Sequence, residues 1–194
     1  MGNTPPPYRV ILASASPRRR ELLSRIFDGF DIIPSQIDET VEERWAPAEV
    51  AKATAVKKGA AVARLYPDAL VISSDTIVYI DGEILGKPED ESDAKRMLKR
   101  LSGNEHTVYT GVYISCPSFV RSFVEETRVR FRALADDEID TYVAGGEPMD
   151  KAGSYGIQGD AADFVESFDG DRDNVMGLPV ARLKKELSAH LIIL

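Results

Sequence analysis

The chain has few of the residues that build disulfide scaffolds or soft-metal sites. Its 194 residues contain one cysteine, Cys116, and two histidines, His106 and His190. A lone cysteine closes no internal disulfide, and with two histidines it assembles neither a zinc cluster nor a Cys–His dyad of ordinary pattern. The expected setting is therefore reducing and intracellular, with cytoplasm the default, and Cys116 is expected to pack within a strand. No apolar run approaches the roughly 18 residues that a membrane span needs. The opening Met1-Gly2-Asn3-Thr4-Pro5-Pro6 lacks the basic and apolar pattern of a signal peptide. Pro6 also stands where a myristoylation signal needs Ser or Thr. No asparagine opens an Asn-x-Ser/Thr sequon.

Positive charge is in deficit as well: 24 Lys plus Arg face 32 Asp plus Glu, for a formal charge of −8. A net-negative chain is a poor general binder of nucleic-acid polymers or anionic membranes, whose affinity comes from neutralising phosphates. Any anionic ligand must meet a local basic cluster or a metal ion. What remains is ordinary globular usage, with 43% hydrophobic and 29% charged residues, enough chain for one domain or two joined lobes with a sizeable core.

Strand and helix patterns alternate along the chain without repeats. Residues 1–7 read as a short disordered lead, and 8–194 as a single domain. Tyr8 to Ala13 predicts a strand. Ser16 then reads as an N-cap and Pro17 as the first helical residue, with Leu22, Leu23, Ile26 and Phe27 as the buried stripe. A long helix is predicted over Ala46–Tyr66, a strand over Leu70–Ser73, and a hairpin over Thr76–Leu85 turning at Asp81-Gly82. Pro88 to Leu101 has the clearest amphipathic pattern, with acids at its start and Lys99 and Arg100 near its end. Strands follow over Thr107–Ser115 and Ser122–Phe131, then a short helix ending at Gly145-Gly146, a glycine-rich loop and a last helix from Pro179. This interleaving predicts an α/β fold with a mixed sheet.

Five places carry chemistry. In Ser14-Ala15-Ser16-Pro17-Arg18-Arg19-Arg20, a strand turns directly into a helix, presenting free N–H groups and the positive dipole end. An ordinary cap with a solvated basic face has the same residues. Three arginines set against the dipole nevertheless favour an anion partner, such as a phosphate. In Ser73-Ser74-Asp75-Thr76, an apolar strand ending in an acid sets a carboxylate at the sheet's carboxyl edge, suited to a metal or to general-base work. A turn-forming aspartate is the alternative; Ile77 in place of glycine excludes an aspartic-protease motif. Lys87, between Gly86 and Pro88, lacks the Walker spacing but suits a phosphate contact. Lys58 falls in line with Ala51, Ala55, Val62 and Leu65 on an apolar helix face, where a lysine commonly snorkels to solvent; Lys57 is its rival. Finally, Gly153-Ser154-Tyr155-Gly156-Ile157-Gln158-Gly159 lets backbone approach a ligand, with Gln158 able to read a base edge. A plain flexible loop would have the same composition.

These segments together resemble the Maf family of nucleoside triphosphate pyrophosphatases, also called septum-formation proteins. The resemblance runs from Ile11 to about Leu183. It rests on Leu12-Ala13-Ser14-Ala15-Ser16-Pro17-Arg18-Arg19-Arg20-Glu21-Leu22-Leu23, Ala55-x-x-Lys58, Ser74-Asp75-Thr76-Ile77-Val78 and Leu85-Gly86-Lys87-Pro88. It continues through Met97-Leu98-x-x-Leu101-Ser102-Gly103-x-x-His106-x-Val108-x-Thr110-Gly111-Val112, Asp150-Lys151-Ala152-Gly153-x-Tyr155-Gly156-Ile157-Gln158-Gly159 and Gly177-Leu178-Pro179. The resemblance implies a twisted mixed sheet flanked by helices around a central cleft, similar to inosine triphosphate pyrophosphatases. It implies hydrolysis of a nucleoside triphosphate between its α and β phosphates with a divalent cation, Mg²⁺ or Mn²⁺.

Carried onto this chain, Asp75 is the general base or metal acid and Glu39 a second acid near the metal. Lys58 and Lys87 hold phosphates with Ser14, Ser16 and Arg18, while Arg19, Thr76 and Gln158 match positions linked to base choice. The motifs look like the branch acting on dTTP and UTP, a house-cleaning activity, and the family suggests a homodimer. The alternatives are a non-catalytic nucleotide sensor in cell division and the sister activity on 7-methylguanosine triphosphate. Two departures stand out. Gly59 replaces the usual alanine, which reads as a minor packing change. Arg172 replaces an aromatic, which bears on local packing or a dimer contact.

Overall fold

A computed structural model describes residues 7–37 and 45–190. Among the described residues, seven strands form one mixed sheet in the order β2-β1-β3-β5-β6-β7, with β4 paired to β3. The strands are β1 (Val10–Leu12), β2 (Asp31–Ile32), β3 (Leu70–Ile80), β4 (Glu83–Leu85), β5 (Glu105–Cys116), β6 (Phe119–Phe131) and β7 (Val165–Asp169). The α-helices among the described residues are α1 (Pro17–Ser24), α2 (Pro47–Leu65), α3 (Glu91–Leu101), α4 (Asp136–Ala144), α5 (Arg172–Met176) and α6 (Val180–Ala189). The predicted α/β class with a mixed sheet holds; β7 and α5 lie where a glycine-rich loop was expected. No helix among the described residues is long and apolar enough to cross a membrane.

The chain divides into two compact units, with the boundary inside β3 between Asp75 and Thr76. The first comprises the chain up to Asp75, Thr110–Glu125 and the residues from Gly177 on. Here β1 runs parallel to both β2 and β3, in the register Leu12 to Ile32 and Leu12 to Ile72. Val10, Ile11 and Leu12 are an unbroken apolar run and are all buried, as strands of a parallel sheet are when elements cover both faces; Val62 of α2 packs with Ile11 and Ala13. The stripe predicted for α1 is buried at Leu22, Leu23, Ile26 and Phe27.

Helix α2 packs through the small residues Ala51, Ala55 and Gly59, spaced four apart on one face. A side chain at Gly59 would meet Tyr113 Cδ1 at 2.1 Å and Ser73 Oγ at 2.5 Å. The glycine expected to be a minor packing change is therefore a contact point, where helix and sheet approach too closely for a Cβ. Gly111 on β5 does the same from the other side, since its Cβ would fall 2.3 Å from the Ala51 carbonyl oxygen. Ser73 Oγ donates to the Ala55 carbonyl at 2.6 Å, satisfying a buried hydroxyl across this interface. Leu65, assigned to the same face, is 73% exposed instead; it is the last residue of α2, past the end of the packed stripe.

The second unit comprises Thr76–Tyr109 and Glu126–Met176. Val78 and Ile80 of β3, Leu98 and Leu101 of α3, Val129 and Phe131 of β6, and Ile139 and Val143 of α4 close one apolar core. The β3–β4 hairpin turns at Asp81-Gly82, both with positive φ (44° and 88°), the left-handed pair that two-residue hairpins require. Helix α3 begins at Glu91, three residues beyond Pro88, because the Asp90 side chain caps it by accepting the Asp93 N–H at 2.8 Å. Strand β7 pairs antiparallel with β6, Val129 opposite Phe168.

Candidate functional site

Two expectations for β3 need correction. The strand does not end at Ser73, and Asp75 is not at its end. β3 runs unbroken from Leu70 to Ile80, so Asp75 is mid-strand. Burial resumes beyond it at Ile77, Val78 and Ile80, which gives the strand core contacts on both sides of the acid. What sets Asp75 apart is its pairing: β1 accompanies β3 over residues 70–72 and β4 over residues 78–80. Neither of those strands accompanies Ser73 to Ile77.

In the first unit, Lys58 Nζ lies 2.7 Å from Asp75 Oδ1, with side-chain exposures of 11% and 14%. Lys58 does not snorkel outward from α2. It turns into the protein at a helix position that burial alone would assign to an aliphatic residue, and a charge there needs a partner. Lys57, the rival, is exposed.

The turn after β1 is organised by its hydroxyls. Ser16 is the N-cap of α1, its Oγ accepting the Arg19 N–H at 3.4 Å, as predicted. Ser14 Oγ accepts the Ser16 N–H at 3.2 Å and Arg19 Nη1–H at 3.3 Å. Arg19 also donates from Nε to the Gly177 carbonyl at 3.1 Å, and the same oxygen accepts the Ser74 hydroxyl at 2.8 Å. Arg19 thus bridges the turn to the chain segment before α6, and Ser74 ties that segment to the strand residue next to Asp75. Arg18 is half-buried on the first turn of α1. Arg20, one of the three arginines read as favouring an anion, is exposed and lines a surface depression of about 470 Å³ with Pro17, Glu21, Ser24, Asp28 and Phe30. Successive helical residues point about 100° apart, which is why Arg19 and Arg20 part company.

In the second unit, Thr76 and Gln158 are half-buried, and Lys87 is exposed in the loop between β4 and α3. The Gly86 carbonyl beside Lys87 accepts the Gly153 N–H at 3.0 Å, so the lysine loop and the glycine-rich loop are joined. Arg172 donates to the Ile157 carbonyl at 3.2 Å, next to Gln158. Glu39 lies outside the described residues. Among those described, no three His, Cys, Asp or Glu side chains gather into a metal cluster. His106 is buried and Cys116 packs at the end of β5, its sulfur 3.2 Å from Ser118 Oγ.

Sequence reasoning assigned no role to Ser74, although it sits beside Asp75, nor to Gly177, although its motif was evident. Their link is a contact between residues 103 positions apart, which no local pattern reveals.

A buried Lys–Asp pair beside a strand-to-helix turn rich in hydroxyls and arginines suits an anionic substrate and an acid that handles protons. A Maf-like protein family model matches residues 9–190. The dTTP/UTP pyrophosphatases of Bacillus cytotoxicus and of a Bacillus cereus strain are each 48% identical over 179 residues, spanning 92% of this chain and 94% of theirs. A crystal structure of a Vibrio cholerae protein covers 72% of this chain and 78% of its own at 14% identity and a TM-score of 0.37, too distant to bear on the fold. With the family model covering residues 9–190, this chain belongs to the Maf-like protein family.

Proposed function

We propose that this protein hydrolyses dTTP and UTP at the α–β phosphoanhydride, releasing the nucleoside monophosphate and pyrophosphate. The observation that carries this reading is the 48% identity, over 92% of the chain, to relatives named for that substrate pair. In this reading Asp75 removes a proton from the attacking water, whose oxygen forms a bond to the α phosphorus. The bond from that phosphorus to the bridging oxygen then breaks and pyrophosphate leaves. Lys58 orients the Asp75 carboxylate and, with Lys87, Ser14, Ser16 and Arg18, offsets the charge of the phosphates. Arg19, Thr76 and Gln158 discriminate between bases.

A divalent cation fits this donor set. Mg²⁺ is ordinarily held by one or two carboxylates together with substrate phosphates and water, and Lys58 engages Oδ1 of Asp75, leaving Oδ2. Asp75 and Glu39 would hold the ion, which supplies Lewis-acid polarisation of phosphate oxygens when bound. The working assembly is a homodimer, and the role is control of the pyrimidine triphosphate pool.

The test is incubation with dTTP, UTP and 7-methylguanosine triphosphate in Mg²⁺, with products resolved by chromatography. Pyrophosphate and a monophosphate from dTTP and UTP are expected. Release of orthophosphate overturns the proposed bond cleavage, and no turnover of any of the three overturns the enzyme.

A further inference from the structure

The proposed chemistry leaves unused the most deeply set histidine. His106, on β5, is 2% exposed, and its ring stands edge-on to Phe131 and to Tyr155 at centroid distances of 5.1 and 5.3 Å. Its Nε2 lies 2.7 Å from the Tyr155 hydroxyl. Its Nδ1 is buried and has no hydrogen-bond partner among the described residues.

A buried nitrogen without a partner gives up its hydration with nothing in return, a penalty that leucine, of similar size, would not incur. The imidazole is thus a poorer choice for stability than an aliphatic residue, and what it provides in return is the Nε2–Tyr155 hydrogen bond. Tyr155 is itself buried, which holds its phenol above the usual range and keeps the hydroxyl protonated. Either tautomer of His106 therefore makes this bond, as acceptor or as donor.

Tyr155 anchors the loop that carries Gln158. Two more ties hold the preceding residues: the Gly153 N–H donates to Gly86, and Ser154 Oγ donates to Met97 Sδ at 3.1 Å. Gly153 sits at φ 69°, where a Cβ would meet Val78 Cγ2 at 2.9 Å, so the chain enters the loop along one path. Beyond Gln158, the Asp160 N–H donates to Glu147 Oε2 at 3.2 Å. Gln158 is thus carried on a short span with both ends pinned: the His106–Tyr155 bond joins two side chains three residues before it, and Arg172 holds the Ile157 carbonyl in between.

We propose that His106 is a positioning residue for base selection, fixing Tyr155 and through it the amide of Gln158. This rests on the pyrophosphatase reading with Gln158 at the base, and the experiment separates the two. Pyrophosphate release is measured for wild type, His106→Leu, His106→Gln, Tyr155→Phe and Gln158→Ala, with dTTP, UTP and CTP as substrates. The quantity read is the ratio of kcat/KM for dTTP to that for CTP. A loss of folded protein lowers both rates equally and leaves this ratio unchanged, so a merely structural role does not move it.

His106→Leu and Tyr155→Phe are each expected to shift the ratio by about tenfold toward unity, as loss of a polar discriminator does. His106→Gln, whose amide nitrogen reaches the position of Nε2, is expected to stay within about threefold of wild type. Should His106→Leu not fold, Tyr155→Phe removes the bond while keeping the ring. Wild-type ratios in Tyr155→Phe, or in His106→Leu, alongside a shifted ratio in Gln158→Ala overturn the proposal alone. A wild type that releases no pyrophosphate, or an unshifted Gln158→Ala, overturns the parent reading and this proposal with it.

Discussion

The ammonium of Lys58 and the carboxylate of Asp75 form a nearly buried ion pair, 2.7 Å apart, joining the middle of α2 to the middle of β3. Removing one partner of such a pair takes the counter-charge from the other in a desolvated place, which costs more than the pair itself contributes. Asp75→Asn keeps the shape and a hydrogen-bonding group but cannot take a proton. Turnover of dTTP is expected to fall roughly 10²–10⁴-fold, the range for a general base, with the circular-dichroism spectrum unchanged. Near-normal turnover would remove Asp75 from the mechanism.

The Arg19 fork spans Ser14 Oγ and the Gly177 carbonyl, which also holds the Ser74 hydroxyl. A lysine carries the same charge but only a single donor centre, so it cannot bridge both acceptors. Arg19→Lys is therefore expected to lower kcat/KM for dTTP by about tenfold, in keeping with a lost charged hydrogen bond. Ser74→Ala is expected to have a smaller effect, and the double variant to show less than the sum, because both residues act on one oxygen. Additive losses would show the two to be independent.

Gly59→Ala sets two effects against each other. Alanine favours a helix interior by about 1 kcal/mol over glycine. Its Cβ, however, would fall 2.1 Å from Tyr113 Cδ1 in the buried face of α2, and overpacking of this kind costs typically about 1–3 kcal/mol. The clash is expected to win, lowering the urea midpoint. In a Tyr113→Ala background the same substitution should cost less, with only the approach to Ser73 Oγ at 2.5 Å remaining. A Gly59→Ala protein as stable as wild type would show that the ring moves aside freely.

Two groups give stability a pH dependence of predictable sign. Burial holds the His106 imidazole down, to a pKa of about 4 from 6.5. The unfolded chain therefore binds a proton that the folded one refuses, and this contribution to stability is present above pH 6.5 and lost as pH falls toward 4. The size is at most about 3 kcal/mol by linkage. Glu138, gripped bidentately by Arg132 at 2.7 and 3.0 Å, is held down to about 2 from 4.5. Its contribution is present above pH 4.5 and lost below, toward pH 2. Urea unfolding of wild type and His106→Gln between pH 7.5 and 4 separates them. The variant should lose its slope above pH 4.5, and an unchanged slope there would rule out the histidine as its source.

Much of this molecule follows from local rules. The all-apolar Val10-Ile11-Leu12 run, the Ser16-Pro17 start of α1, the Asp81-Gly82 hairpin and the amphipathic α3 each follow from the short-range chemistry of a few residues. So does the choice of candidates, because hydroxyls, arginines and an acid between apolar runs stand out wherever the fold puts them. Tertiary structure decided which of them meet. Lys58, and not Lys57, turns inward because only one face of α2 packs on the sheet, and Arg19 is held while Arg20 faces outward for the same rotational reason. β3 continues through Ser73-Ser74-Asp75 because residues distant in sequence bury Ile77 and Val78, a gain that no local propensity registers. Gly59 became indispensable only once Tyr113 lay against it, and His106 acquired a partner only when Tyr155 folded over it. Local chemistry sets what each segment can be; contacts across long separations choose among the options, because they alone determine which groups lose water together.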